Sequence, residues 1–563
     1  MRILGVHDGH NAAACLYEDG VLGSAIQEER LIGVKNWSGI PEHAIRAAAD
    51  LAGCPIADVD AVAVNGHHMP YPKDRQTIMS EYRRTGSIQT SVKKFLRHTF
   101  VRTLYRERRK AQRVQELKRL GISPERIVFV DHHTAHASAA YYGMADFDRD
   151  ILVLTCDGGG DGLCATVSVG RQGHLERVAA VPESESIGNL YAMVTFLLGM
   201  VPLEHEYKLM GMAPYAHPEQ AEPICELFSA LIAFDRKNPL VWRRVGNCPE
   251  TFYSYDFLRD LLALRRFDAI CAGLQKFTED TLKAWVRNCI HATGIRRVAL
   301  SGGVFMNVKA NKVILELPEV EGLYVYPSCG DETNAMGAAY WTYAQRADVR
   351  TMRPLRDLYL GRSFTDEAIR SVLEQTAHRW ERHEDIEAET ARLLSEGNVV
   401  ARFKGRAEFG ARALGNRSLL ADPCREGVIR EINDMIKCRD FWMPFAPSVL
   451  AEAAETYLVN PKGADSPYMV LTFDTTDRRM DLRGALHPYD HTARPQIVRQ
   501  DWNPDYHRLI RAFQERTGRG VVLNTSFNLH GFPIVDTPQD ALHVLTHSGL
   551  RHLALGNYMV HKN

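Results

Sequence analysis

The sequence predicts an α/β protein built as two successive domains. Three observations predict it. Short β-branched or apolar runs alternate with longer helix-like segments, two of those runs lead into glycine-bearing polar turns, and 563 residues exceed what one hydrophobic core usually organises.

Taken in order, RILGV, DAVAV, RIVFV, DILVLTC, RVALSGG and GLYVYP are the predicted strands of the first half. SIGNLYAMVTFLLGM and ICAGLQKFTEDTLKAWV are predicted helices between them. CDGGGDG follows Leu154 and Thr155, and SGGVFMN follows the run ending at Leu300. Amides in such turns can face an anion, so the pair predicts a nucleotide cleft between related α/β halves. Residues 346–364 are polar and interrupted by Pro354, and a helical pattern resumes at Thr365. The junction therefore falls here, giving domains 1–355 and 356–563. In the second, NVVARFKGR, PSVLAEAAETYL and VVLNTSFN again mix strand and helix patterns. A helical insertion spans about 70–120, strongly basic over residues 83–119. It could meet RNA or an acidic ligand; a solvated helical face is the plainer expectation.

Bulk charge excludes a global pull toward nucleic acid or a membrane surface, since 68 Lys and Arg face 69 Asp and Glu. Eleven cysteines without a CxxC pair read as reduced thiols, not as a disulfide or zinc-knuckle framework. No apolar stretch reaches the roughly 20 residues of a spanning helix, and the N-terminal residues lack a secretion-type apolar core. A cytoplasmic enzyme with no membrane partner is expected.

The stretch VFVDHHTAHASAAYY, residues 128–142, sets His132 and His136 one helical turn apart. Positions i and i+4 share a face about 5–6 Å apart, so both imidazoles could close on one ion. Alone the spacing is weak, because buried histidines are often satisfied by backbone. Asp157 in CDGGGDG and Asp331 in PSCGDETNAMGAA strengthen the reading. A His/His/Asp/Asp set is a mixed nitrogen and oxygen site suited to Fe(II), Mn(II) or Zn(II). Helix capping is the alternative for each aspartate, and for Asp161 it suffices.

Beyond this, GHNAAACLYEDG, QEERLIGVK, DHHTAHASAAYY, CDGGGDG, EYKLMGMAPYA, SGGVFMNVKAN, GDETNAMGAA, EFGARALGNRSLLADP, SPYMV, DHTARPQ and VVLNTSFN together resemble the NodU/CmcH-type O-carbamoyltransferases along nearly the whole chain. The resemblance implies an N-terminal Kae1-like domain of the duplicated actin/Hsp70/sugar-kinase (ASKHA) fold, followed by a C-terminal YrdC-like α/β domain. It implies that the second domain joins carbamoyl phosphate to ATP, used with Mg, as carbamoyl-adenylate, and that the first passes the carbamoyl group to a hydroxyl of a small molecule or glycan. His132, His136, Asp157 and Asp331 then match iron-binding positions. His10 matches an acceptor-site histidine, expected to act as base or positioning group with Asp8 beside it, and Lys35 matches a lysine near the nucleotide phosphate. Gly158, Gly159, Gly302, Gly303 and Asn307 would line the nucleotide in the first domain.

In the second domain, phosphates of two substrates must be held together despite like charge, which demands fixed cations and neutral donors. Lys404, Arg406, Arg412, Arg417, Lys437, Arg439 and Arg494 supply the charge; Asn524, Ser526 and Asn528 supply the donors. Arg412, Lys437, Arg494, Asn524 and Ser526 are favoured as ligands, with Arg417 and Arg439 partly structural. Ala411, Met443 and His491 depart from the family pattern. The rival readings are carbamoyl transfer to tRNA or to a protein, and an ASKHA nucleotide-binding protein without transfer activity. Nucleic acid is disfavoured as a partner, a homodimer is admitted, and the acceptor is not legible.

Overall fold

The computed structural model describes the backbone of residues 1–83 and 100–562, and side chains outside 84–102. The chain divides into two compact units, Met1–Glu28 with Asn36–Leu355, and Glu29–Lys35 with Arg356–Asn563.

Unit 1 carries two five-stranded sheets. The first comprises β1 (Arg2–His7), β2 (Ala13–Glu18), β3 (Val21–Gln27), β4 (Ala61–Asn65) and β5 (Ile127–Val130), in the order β3-β2-β1-β4-β5. β2 runs antiparallel to β1 and β3, whereas β4 and β5 extend the sheet in parallel. The second comprises β6 (Ile151–Gly160), β7 (Leu163–Arg171) and β8 (His174–Pro182). After the ribbon β9 (Ile232–Phe234) with β10 (Trp242–Arg244), it is completed by β11 (Arg297–Ser301) and β12 (Gly322–Val325). Its order is β12-β11-β6-β7-β8, again three antiparallel strands with two parallel ones added beside the first. One topology thus occurs twice, the duplicated α/β plan of the actin/Hsp70/sugar-kinase fold.

The hairpins follow from local chemistry. Asp19 with Gly20, Asp161 with Gly162, and Gln172 with Gly173 all have positive φ, the pairing a two-residue type I′ turn requires. The six runs expected to be strands are β1, β4, β5, β6, β11 and β12. The expected helices lie at Ile187–Leu197 and within Phe267–Thr293.

Helix His132–Met144 leaves β5 and packs on the other sheet, against β6, β7 and β11; helix Asn334–Ala344 leaves β12 and packs on β1, β2 and β4. Small residues let the two helices meet. A β-carbon on Gly337 would stand 1.9 Å from the Ala135 carbonyl oxygen, so close approach requires glycine there. Each half thereby delivers the start of its last helix toward the ends of the opposite central strands.

Unit 2 holds an eight-stranded mixed sheet. Its strands are β13 (Arg379–Arg382), β14 (Val400–Phe403), β15 (Arg417–Ala421), β16 (Ala446–Leu450), β19 (Gln496–Val498), β20 (Val521–Ser526), β21 (His552–Leu555) and β22 (Tyr558–His561), with the ribbon β17 (Leu458–Val459) and β18 (Asp474–Thr475) beside them. The order is β13-β22-β21-β14-β15-β20-β16-β19. Its core includes Leu373, Phe403, Leu419, Leu523, Phe527 and Leu553. Thr365 caps the first helix, accepting from the Ala368 amide at 3.2 Å. The segment Glu29–Lys35, expected in the first domain, belongs to this unit, where Arg30 Nη2 donates to the Gly410 carbonyl at 2.7 Å.

Candidate functional sites

Asp131 caps the helix that carries the histidine pair, accepting from the Thr134 amide at 2.9 Å. Asp161 seals the same helix start, its carboxylate accepting from the amides of His132, His67 and His68. The capping expectation for Asp161 holds, though it serves a helix distant in sequence. With the start so fixed, His132 and His136 point at the end of β6. His132 Nε2 lies 2.9 Å from Asp157 Oδ2, and His136 Nε2 lies 3.2 Å from the same oxygen. Asp331, just before the Asn334–Ala344 helix, brings Oδ1 to 3.7 and 3.3 Å of the two imidazoles. One donor atom from each of the four residues falls within 4.8 Å of all the others.

That set fits a divalent ion. Donors about 2.1 Å from one metal at near-tetrahedral or octahedral angles stand roughly 3.0–3.4 Å apart, and the nitrogen–oxygen distances here run from 2.9 to 3.7 Å. The backs of the rings are also held. His136 Nδ1 is 3.2 Å from Ser301 Oγ, and Asn65 Nδ2 is 3.5 Å from His132 Nδ1, as outer partners of metal-binding imidazoles are. Burial pushes the Asp157 carboxyl up, but hydrogen bonds and charge from both histidines outweigh it and hold it well below the carboxylate range. Burial likewise lowers His132, yet Asp331 and Asp157 raise it to about 9. His133 on the opposite face is pushed down to about 3 by burial and by its two neighbours. It shares a 2.8 Å hydrogen bond with Thr155 and is a neutral core residue.

The glycine turns make room for this centre. A β-carbon on Gly160 would stand 2.2 Å from His132 Cγ, and one on Gly302, at φ 108°, 2.3 Å from the Cys156 carbonyl oxygen. A β-carbon on Gly303 would meet Asp157 Oδ1 at 3.2 Å, and one on Gly159 would meet Glu183; the Gly158 amide donates to Asp157 Oδ1 at 2.6 Å. Asn307, expected beside the nucleotide, caps the helix Val308–Leu315 and pairs its amide reciprocally with Gln275 at 2.8 and 3.0 Å.

Several partners here were missed in the sequence. Asn65 Nδ2 donates to His7 Nδ1 at 2.9 Å, and His7 Nε2 meets the His10 carbonyl at 3.0 Å, tying the metal-side imidazole to the loop that carries His10. Asp8 was paired with His10 as a catalytic candidate. The structure buries it, with both oxygens accepting from Arg113 at 2.7 Å. Arg113 also donates to the carbonyls of Asn65 and Gly66. Asp8 is therefore a clamp between strand ends, and His10 keeps a buried Nε2 without a hydrogen-bond partner among the described residues. Arg113 and Arg109 lie on the helix Phe100–Arg119 and are buried, so that part of the basic insertion is not the solvated face expected. Residues 84–99 of the basic stretch lie outside the described residues.

In unit 2 five cations, Lys35, Arg412, Lys437, Arg439 and Arg494, gather near one another. Lys437 is buried, and its pKa is held well below the amine range by burial, then by Arg439 and Lys35. Its Nζ donates to Asn528 Oδ1 at 2.7 Å and to Ser526 Oγ at 3.2 Å. Arg494 is likewise depressed by burial, Arg412 and Arg439, and its Nε has no partner among the described residues. Arg439 donates to Thr525 Oγ1 at 3.1 Å. A gathering of like charge of this kind suits a polyphosphate. Lys35, matched to a lysine near the nucleotide phosphate and expected within residues 1–355, belongs to the second unit and acts on Lys437.

Other expected phosphate ligands are committed elsewhere. Lys404 Nζ pairs with Glu387 at 2.8 Å and Asp505 at 3.4 Å. Arg417 is fully buried over the Phe403 ring, and its guanidinium donates to the carbonyls of Arg362, Lys404, Gly405 and Asn416. Arg406 donates to the Leu360 and Gly361 carbonyls. Asn524 sits in the sheet, donating to Ala413 and Ser448.

Comparison with known proteins finds two family matches along the chain. Residues 2–340 match the carbamoyltransferase N-terminus family and residues 391–562 the carbamoyltransferase C-terminus family. Nodulation protein NolNO of Sinorhizobium fredii is 32% identical, covering 98% of this chain and 79% of that protein. An uncharacterized Synechocystis protein is 30% identical over 98% of this chain and 95% of its own length. The 3'-hydroxymethylcephem-O-carbamoyltransferase of Amycolatopsis lactamdurans is 31% identical over 46% of this chain and 47% of that enzyme.

Proposed function

The chain belongs to the carbamoyltransferase family and is an O-carbamoyltransferase; from that premise we propose an ATP-dependent reaction in two steps, one in each unit. The observation that carries it is the convergence of two imidazoles and two carboxylates in unit 1, set against a separate cation cluster in unit 2.

In unit 2, water takes the phosphoryl group from carbamoyl phosphate, and an oxygen of the resulting carbamate displaces pyrophosphate from the α-phosphorus of ATP. Lys437, Arg439, Arg412, Arg494 and Lys35 screen the repulsion between the phosphates, and Ser526 supplies a neutral hydroxyl. The product, carbamoyl-adenylate, hydrolyses in open water, so use within the same chain protects it. In unit 1, an acceptor hydroxyl attacks the carbamoyl carbon, its proton passes to His10 Nε2, and the bond to AMP breaks. A positioned base of this kind contributes about 10²–10⁴-fold. Asp8 and Arg113 hold the strand ends that present His10. His132, His136, Asp157 and Asp331 would hold a divalent ion, with Fe(II) first and Zn(II) or Mn(II) as alternatives, supplying Lewis acidity toward phosphate and carbonyl oxygens.

The test combines purified protein, ATP with Mg and carbamoyl phosphate. Pyrophosphate release requiring both substrates is expected, followed by a gain of one carbamoyl mass on an added alcohol. Phosphate release without pyrophosphate would refute the adenylate step. Among the described residues no helix is long and apolar enough to cross a membrane.

A further inference from the structure

Asn65 ends β4 between two imidazoles. It is fully buried. Its amide nitrogen lies 2.9 Å from His7 Nδ1 and 3.5 Å from His132 Nδ1, while its Oδ1 is buried without a hydrogen-bond partner among the described residues. His7 is fully buried as well, and its other ring nitrogen, Nε2, meets the His10 carbonyl at 3.0 Å. The loop lies tight on that ring, since a β-carbon on Gly9 would stand 2.7 Å from His7 Cε1. One amide thus joins His132 to the anchor of the loop that bears His10.

The hydrogens on these rings are constrained. An asparagine amide offers donors at one end and an acceptor at the other, and a neutral imidazole carries one hydrogen on one of its two nitrogens. Both rings face the same end of Asn65, so both Nδ1 atoms accept from it or both donate to it. With the nitrogen facing them each Nδ1 accepts, and His7 carries its hydrogen on Nε2, where it donates to the His10 carbonyl. A histidine that ligates through Nε2 carries its hydrogen on Nδ1 instead. His132 then sets a donor against the Asn65 donor, with the acceptor it needs, Oδ1, idle on the same amide. Turning that amide end for end satisfies His132 and brings Oδ1 to His7 Nδ1. Burial lowers the His7 pKa and keeps the ring neutral, so its single hydrogen moves to Nδ1, and Nε2 is left facing the His10 carbonyl, acceptor against acceptor. That anchor is lost. His136 imposes no such exchange, because its Nδ1 faces Ser301 Oγ at 3.2 Å, a hydroxyl that rotates to donate or accept.

We propose that Asn65 is a positioning residue that locks the tautomers of His7 and His132 together, so that ligation through His132 Nε2 and anchoring of the His10 loop by His7 exclude one another. The inference rests on the metal part of the reading above and adds a coupling between the ligand set and the loop that presents the base. The loop is tethered while His132 Nδ1 accepts and is let go when it donates.

The experiment uses the full chain, its histidines labelled with NMR-active nitrogen, and Zn(II) as a diamagnetic probe. Elemental analysis of the desalted protein reports metal uptake separately, and no uptake would sink the metal reading and this one together. Given uptake, ring-nitrogen NMR should show the His7 hydrogen moving from Nε2 to Nδ1, the His7 signals being assigned by their loss in His7→Gln. Hydrogen exchange should quicken over residues 8–12. Asn65→Leu leaves His132 Nδ1 without an acceptor, so Zn(II) affinity should fall about 10–100-fold, and saturating Zn(II) should leave the His7 hydrogen on Nε2. Asn65→Asp presents an acceptor without turning, and should hold the His7 hydrogen on Nδ1 with or without Zn(II) at an affinity no weaker than wild type. A purely structural role for Asn65 would shift the melting curves of both variants and leave the ring hydrogen of His7 indifferent to Zn(II). Should neither variant fold, the wild-type spectra decide. A His7 hydrogen that stays on Nε2 in Zn(II)-loaded wild type would overturn the inference and leave the metal reading standing.

Discussion

Gly160→Ala tests the metal centre without removing any ligand. The added methyl would stand 2.2, 2.3 and 2.6 Å from Cγ, Cδ2 and Nδ1 of His132. Non-bonded carbons settle at about 3.5–4.0 Å, so the imidazole must retreat by roughly 1.3 Å or the strand end must move. Neither is easy. The His132 amide is held by Asp161 at 2.9 Å, and the helix behind it is pressed against Gly337. Metal–ligand distances tolerate only about 0.2 Å, so the shift removes His132 from the donor set. Overpacking itself costs about 1–3 kcal/mol, too little to unfold a chain of this size. The assay measures bound metal per chain by elemental analysis after reconstitution, with thermal melting alongside. Metal content should fall by at least tenfold while the melt stays cooperative. Gly23→Ala, where a β-carbon meets only the Leu16 carbonyl oxygen at 3.8 Å, should behave as wild type. Full metal occupancy in Gly160→Ala would refute the geometric argument, because no ring position clear of the methyl keeps Nε2 where it is.

Three other outcomes are expected. His132→Ala should abolish carbamoyl transfer while pyrophosphate release continues, whereas Arg412→Ala should cripple pyrophosphate release and, with no carbamoyl-adenylate made, the transfer that depends on it; loss of pyrophosphate release in folded His132→Ala contradicts separate sites. Lys437 has a depressed pKa because of burial, Arg439 and Lys35, whereas a bound phosphate favours its charged form. Pyrophosphate binding should then take up a proton, and affinity should fall as pH rises through the free protein's Lys437 pKa; calorimetry in buffers of different ionisation enthalpy showing no uptake would exclude this. Arg417→Met strands four carbonyls that the guanidinium now satisfies, so urea denaturation should report a loss of about 3–5 kcal/mol, and a loss below 1 kcal/mol would return Arg417 to the phosphate site.

The parallel strands and the convergence of His132, His136, Asp157 and Asp331 were legible because each leaves a local mark. Short apolar runs announce β4, β5, β11 and β12, and glycines mark the strand ends near the His/Asp cluster. The antiparallel additions β2, β3, β7 and β8 were passed over, although the Asp19-Gly20 and Asp161-Gly162 pairs carry the dipeptide signal of a type I′ hairpin. Side-chain allegiance was harder to read. Lys404 and Arg406 have the composition of phosphate ligands, yet Glu387 and the Gly361 carbonyl claim them, and only tertiary placement decides between an anion on the protein and one in solution. Asn65 and Ser301 left a fainter trace. Each ends a parallel strand just before a positive-φ glycine, Gly66 and Gly302, a correspondence visible only once the two halves are recognised as copies.

That correspondence extends to Asp8, just beyond β1, and Asp157, near the end of β6, the matching central strands of the two copies. One acid faces two imidazoles, and its counterpart is locked by a guanidinium that reaches it from the insertion after β4. The arginine acts as a permanent resident cation in the twin position. It neutralises that position from within the chain, so two copies of one strand end carry different chemistry: one acid is open to the imidazoles, and the other is closed by the protein itself.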